Sequence, residues 1–164
     1  MSESKLPRLA LFPMGLLAVV MAWALAANVL GPRYDAQSAR IAEASQLVVK
    51  ARDSASQEDW LQVRQYAGQA VALNPSHVLA HLILGVAYFN TNTLDQAEAE
   101  FRRVIPLSAE DRNSAAWAHN NLGVVMQRRG RFAEASQEYQ TAIDLDSSNG
   151  QARANLAEIK RFAQ

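Results

Sequence analysis

Three histidines are the side chains in this chain of 164 residues best suited to metal or acid–base chemistry, because it contains no cysteine. His77 and His81 stand four residues apart, so on a helix they share a face, and His119 is available as a third ligand for a divalent metal. Paired-carboxylate chemistry would fall to Glu58-Asp59 or Glu110-Asp111. Those pairs sit at an expected helix start and in an expected loop, where solvation and the helix dipole account for them. The cationic clusters are Arg102-Arg103 and Arg128-Arg129-Gly130-Arg131. The second has the size of a lipid-headgroup contact, although such clusters are more often solvated faces. No glycine-rich phosphate loop, nucleophile elbow or zinc spacing is present. The expectation is therefore a non-enzymatic protein with no catalytic residue, no metal and no cofactor.

Composition narrows the class further. Sixteen basic residues balance sixteen acidic ones, which leaves no basic footprint for nucleic acid. The missing cysteine removes disulfides and the acylated residue of a bacterial lipoprotein. With 49% apolar residues, the chain is long enough for one packed domain and one appendage.

That appendage is residues 9–30, LALFPMGLLAVVMAWALAANVL, which carry no charge. As a helix rising about 1.5 Å per residue they would span roughly 33 Å, enough for a bilayer core. The sequence predicts a transmembrane anchor there behind a short basic flank, residues 1–8. Ala24-Leu25-Ala26 is also an acceptable cleavage site, so a signal peptide cut after Ala26 is the competing reading. Lys5 and Arg8 against Arg33 and Arg40 give a weak positive-inside bias. Either reading places the remainder beyond a bacterial inner membrane, and the anchor reading makes this a single-pass protein of that membrane with a periplasmic carboxyl-terminal domain.

Beyond the apolar run, residues 31–43 read as a short connector and helix start: Gly31-Pro32 breaks the span and Asp35 caps a new helix. Ser56 is expected to open the next helix, with Asp59 in its first turn, and Asn74-Pro75 to close it. Thr93 is expected to cap the helix that begins at Leu94, and Pro106 to end that helix about a turn early. Leu84-Gly85, Tyr88, Ala97 and Phe101 form a spacing that returns as Leu122-Gly123, Ala135 and Tyr139, with Ala142 following. Ala51 stands 34 residues before Gly85, whereas Gly123 follows Gly85 by 38. Four residues, Arg112 to Ala115, are accordingly inserted, and they are expected to project as a loop.

This spacing resembles the tetratricopeptide repeat, W-x2-L-G-x2-Y followed by A-x3-F, whose length is about 34 residues. The resemblance covers residues 44–149 as three repeats, 44–77, 78–111 and 116–149, with residues 150–164 as a capping helix. The first repeat is degenerate, with Lys50 and Ser54 where the pattern prefers Leu and Tyr. The fold class expected is therefore all-α: an amino-terminal transmembrane helix followed by a solenoid of helical hairpins. His81 and His119 fall where the pattern has Trp, so packing explains them more simply than metal binding.

In proteins of this family the first helix of each hairpin lines a concave groove through its second, fifth, ninth, twelfth and thirteenth positions. The resemblance carries these onto Leu79, Leu82, Val86, Phe89 and Asn90, and onto Trp117, Asn120, Val124, Gln127 and Arg128. In the degenerate repeat they are Ser45, Val48, Arg52, Ala55 and Ser56, of which Arg52 is the notable one. An apolar groove with Arg52 and Arg128 at its ends suits an extended segment or amphipathic helix that buries hydrophobic anchors and offers acids to the arginines. Alternatively, Leu79 and Leu82 are core. Some members grip a partner's terminal carboxylate with Lys and Asn at the fifth and ninth positions; Val48-Arg52 and Asn120-Val124 do not match that pair. The chain is similar to small bacterial envelope proteins that assist cytochrome c, pilus or secretion-machine assembly, or quality control. The partners expected are membrane or envelope proteins. A second reading is a structural subunit of an integral membrane complex, held through Ala18, Ala22 and Ala26 of the span.

Overall fold

The computed structural model describes residues 14–162, with side chains described from Asp35 to Arg161. Residues 1–39 and residues 40–164 form two units, and among the described residues every regular element is helical. The first unit is the helical backbone of α1 (Met14–Ser56) up to Ala39. The expected break at Gly31-Pro32 does not occur, since α1 runs through both residues. Proline inside a helix loses one amide bond, crowds the carbonyl four residues back and restricts the residue before it. Here the preceding residue is glycine, which has no Cβ to clash. Asp35 therefore lies inside a helix and caps nothing. The side chains of the expected anchor, residues 9–30, lie outside those described. Among the described residues no helix is long and apolar enough to cross a membrane.

The second unit contains the end of α1 and then α2 (Trp60–Leu73), α3 (Val78–Asn90), α4 (Leu94–Leu107), α5 (Arg112–Arg128), α6 (Phe132–Leu145) and α7 (Gly150–Phe162). Each helix presents a narrow apolar stripe that its own hairpin cannot cover, and the stripes interlock in sequence. Ala51 of α1 packs with Val63 and Ala67 of α2 and with Leu84 and Ala87 of α3. Ala97 and Phe101 of α4 meet Leu122 and Val125 of α5. Met126, Ala135 and Tyr139 then join Leu156 and Ile159 of α7. Each cluster thus draws on more than one hairpin, as a solenoid core requires.

Small residues set how close the hairpins come. A Cβ on Gly85 would stand 2.5 Å from Phe101 Cε1, and one on Gly123 would stand 2.5 Å from Tyr139 Cε1. Both rings are buried, so each glycine is the floor on which the aromatic ring of its own hairpin rests.

The turn between the two helices of each hairpin uses one left-handed residue: Glu58 at φ 58°, Asn92 at φ 57° and Gly130 at φ 75°. These stand immediately before the N-caps of α2, α4 and α6. The cap of α2 is Asp59, whose carboxylate accepts from Gln62 N at 3.1 Å; Ser56, expected to open that helix, instead closes α1. Thr93 holds the N-cap position of α4, yet its hydroxyl turns back to donate to Tyr88 O at 2.9 Å.

Two further expectations change. Pro106 lies inside α4, which at 14 residues matches α2 and α6 in length. The proline sits in the last turn beside exposed Leu107, where water can satisfy the carbonyl it leaves unbonded. The inserted residues Arg112 to Ala115 form no projecting loop; they add a turn to the start of α5, which reaches 17 residues against 13 in α3. Asp111 secures that turn by accepting from Ser114 N at 3.2 Å. Arg112 then donates to the terminal carbonyls of α6, Asp144 O at 2.9 Å and Leu145 O at 3.2 Å.

Candidate peptide-binding groove

The hairpins' first helices bring most of the predicted groove residues together, in two hollows. The larger, of about 700 Å³, is lined by Arg52 from α1, Leu79, Leu82 and Val86 from α3, and Trp117 from α5. Leu79 is 40% exposed and Trp117 49% exposed, unusual for such large apolar groups at the mouth of a hollow. The smaller, of about 500 Å³, is lined by Phe89, Val124, Gln127 and Arg128, together with Glu158 of α7.

The arginines differ in their surroundings. The Arg128 guanidinium lies over the Phe89 ring, 4.9 Å from its centroid, a cation–π contact worth about 0.5–1 kcal/mol at a partly open site. Neither Arg52 nor Arg128 forms an ion pair among the described residues. The neighbouring cations are occupied: Arg129 pairs with Asp95 at 2.5 Å and Glu98 at 3.3 Å, and Arg131 with Glu134. Of the cluster, Arg129 and Arg131 are thus paired within the chain, and Arg128 is the arginine without an ion pair among the described residues.

Five expected groove positions, Ser45, Val48, Ser56, Asn90 and Asn120, line neither hollow. Asn120 is 1% exposed, and its Oδ1 accepts from Asn155 Nδ2 at 3.1 Å, so it ties α5 to α7 inside the core. Val48, at the equivalent register of the first repeat, is buried with Ala44, Ala70 and Ala80. Asn90 is exposed but donates to Val86 O at 2.9 Å on its own helix and lines neither hollow. Gln127 stays in the groove while accepting from Tyr139 Oη at 2.7 Å, a phenol whose pKa burial pushes up.

Sequence counting missed Trp60, Asn113, Ser114, Asn121 and Gln151, all of which line the larger hollow. Trp60 begins a second helix of a hairpin, and Asn113 and Ser114 lie in the extra turn of α5. Counting along the first helices in a fixed frame excludes them. An apolar aromatic directly behind the Asp59 cap was the available signal for Trp60.

The histidines do not converge. His77 caps α3, its Nδ1 accepting from Ala80 N at 3.4 Å, while His81 and His119 each turn to a glutamate. Among the described residues no group of three His, Asp or Glu side chains could hold a metal ion.

The described residues thus form a solenoid of paired helices, with small residues at the crossings and hollows along the first helices. Residues 77–148 match the family pattern described as Tetratricopeptide repeat. The fold agrees with the tetratricopeptide domain of Arabidopsis OM64, at a TM-score of 0.69 and 15% identity, over 75% of this chain and 98% of that one. It agrees also with the first such domain of Spaghetti (RPAP3) bound to the HSP90 peptide SRMEEVD, at 0.68 and 17%, over 75% and 94%. The second domain of human RPAP3, in complex with the HSP70 peptide SGPTIEEVD, gives 0.64 and 18%, over 76% and 98%. A protein O-mannosyl-transferase of Caenorhabditis elegans is 28% identical over 99 residues, which is 60% of this chain but 14% of that protein.

Proposed function

We propose that this protein is a membrane-anchored, non-enzymatic adaptor that docks a segment of another envelope protein in its groove during assembly of a complex. The larger hollow carries the reading: exposed Leu79 and Trp117 beside Arg52, a cation with no carboxylate of its own. Such a surface takes a segment with one or two large apolar side chains and an acid placed to reach Arg52. The solved structures with bound chaperone peptides support peptide docking as a use of this fold. This groove nevertheless has Val124 and Arg52 at ninth positions and buried Val48 and Asn120 at fifth ones. Its recognition therefore rests on apolar anchors more than on a terminal carboxylate. The uncharged residues 9–30, behind Lys5 and Arg8, support an inner-membrane anchor with the solenoid on the periplasmic side.

Photo-crosslinking in living bacteria tests the docking surface. A crosslinker at Leu79 or Trp117 should capture the same protein partner, and one at Gln140, exposed on α6, should not. Arg52→Glu or Trp117→Ala should lower the yield by about tenfold, the size of a moderate hot spot, with the circular dichroism unchanged. Equal capture from all three positions would refute the groove. Cleavage of the solenoid by protease added to the cytoplasmic face alone would refute the localisation.

A further inference from the structure

His81 and His119 occupy the same register in consecutive hairpins, and each meets a glutamate 19 residues further on in the second helix of its own hairpin. His81 Nδ1 lies 2.6 Å from Glu100 Oε2, and His119 Nδ1 lies 2.7 Å from Glu138 Oε2. The first pair is the more enclosed, with His81 only 2% exposed. Its second nitrogen, Nε2, stands 2.9 Å from Pro75 O. A neutral imidazole has one N–H and one lone pair. Facing two acceptors, it would therefore have to set its lone pair against one of them, whereas imidazolium donates to both.

The charged groups that bear on His81 both come from α4: Glu100, and Arg103, which donates to Glu100 Oε1 at 3.2 Å. No charged group of α2 or α5 bears on it. His77, one turn earlier on the same helix, is turned to the Ala80 amide. Protonated His81 and Arg103 thus bracket one carboxylate, and losing the histidine's proton leaves a buried acceptor opposite a lone pair.

We propose that protonation of His81 locks α3 to α4, making the packing of that groove-forming hairpin proton-linked. The direction follows from the partners. The Glu100 hydrogen bond holds the His81 pKa above its ordinary 6.5, against the opposing effect of burial. A group raised on folding contributes stability that is complete below its unfolded value and is lost as pH climbs through its folded one. The lock therefore holds in acid and releases toward alkaline pH. It is a property of the hairpins and does not depend on what occupies the groove.

The test uses the full-length chain in detergent micelles. Its imidazole resonances are followed by NMR from about pH 5 to about pH 9, and assigned with His77→Gln and His119→Gln. His81 should titrate above 6.5, and the denaturant midpoint should fall across the same window. Glu100→Gln should bring the His81 titration down and flatten that fall. His81 titrating at or below 6.5, or a Glu100→Gln variant with the wild-type pH slope, would overturn the proposal. Should His81→Gln fail to fold, the wild-type titration and the Glu100→Gln slope still decide.

Discussion

Replacing Gly85 by alanine separates local helix preference from close packing, because the two act in opposite directions at that position. Alanine in a helix interior is favoured over glycine by about 0.8–1.0 kcal/mol. Against that gain, the added methyl would stand 2.5 Å from Phe101 Cε1, 2.8 Å from Cδ1 and 2.9 Å from Cζ. Phe101 is 1% exposed and hemmed in by the α4–α5 cluster, so its ring cannot swing out, and overpacking of this kind costs about 1–3 kcal/mol. The net expectation is a loss of roughly 0–2 kcal/mol. Gly68 supplies the control. It lies in α2 with no atom beyond its own stretch of helix within 4 Å of a built Cβ, so Gly68→Ala should gain the full ~1 kcal/mol. Equilibrium denaturation of both variants in guanidinium chloride reads the contrast. Combining Gly85→Ala with Phe101→Leu should recover part of the loss, with a coupling above about 0.5 kcal/mol. If Gly85→Ala and Gly68→Ala stabilise the protein equally, the glycine is no floor for the ring and the hairpin register proposed above is wrong.

Two other substitutions probe the turns and the buried polar tie. Glu58 adopts φ 58° without glycine's freedom, so Glu58→Gly should raise stability by about 0.5–1 kcal/mol; a lower thermal midpoint would show that the carboxylate has a role not visible in its contacts. Asn120→Ala removes the acceptor for Asn155 Nδ2 inside the α5–α7 contact and should cost about 1–3 kcal/mol. Hydrogen exchange should quicken in α7 first, and unchanged protection there would argue against that contact.

The hairpins were legible because their signals are local and repeated. Leu84-Gly85 and Ala97, with Phe101 four residues on, encode one close helix crossing, and any chain with that spacing must solve the same packing problem. The groove was legible only in part. Leu82 and Val86 line the hollow as counted, but Asn120 was assigned by position to a surface that α7 covers, and α7 has no counterpart in the counting scheme. Thr93 and Ser56 show the limit of reading caps from residue type. Thr93 turns its hydroxyl to Tyr88 O of the preceding helix instead of accepting from an amide of α4, and one left-handed residue, Glu58, moved the start of α2 three positions. The His–Glu pairs could be seen in the sequence only as two isolated histidines, because the partner that gives each its meaning lies across the hairpin.

The extra turn of α5 also bears on how such a chain can change length. Each helical residue rotates the chain by about 100°, so four added residues return the incoming backbone to within roughly 40° of its former direction. Two residues would deliver it to the opposite side of α5, away from the end of α4 it must join. Joints between hairpins should therefore tolerate growth in steps of a turn and resist growth by fractions of one. The 38-residue interval between Gly85 and Gly123 is then a permitted length variant, one that sets Asn113 and Ser114 at the rim of the groove while leaving the spacing inside each hairpin untouched.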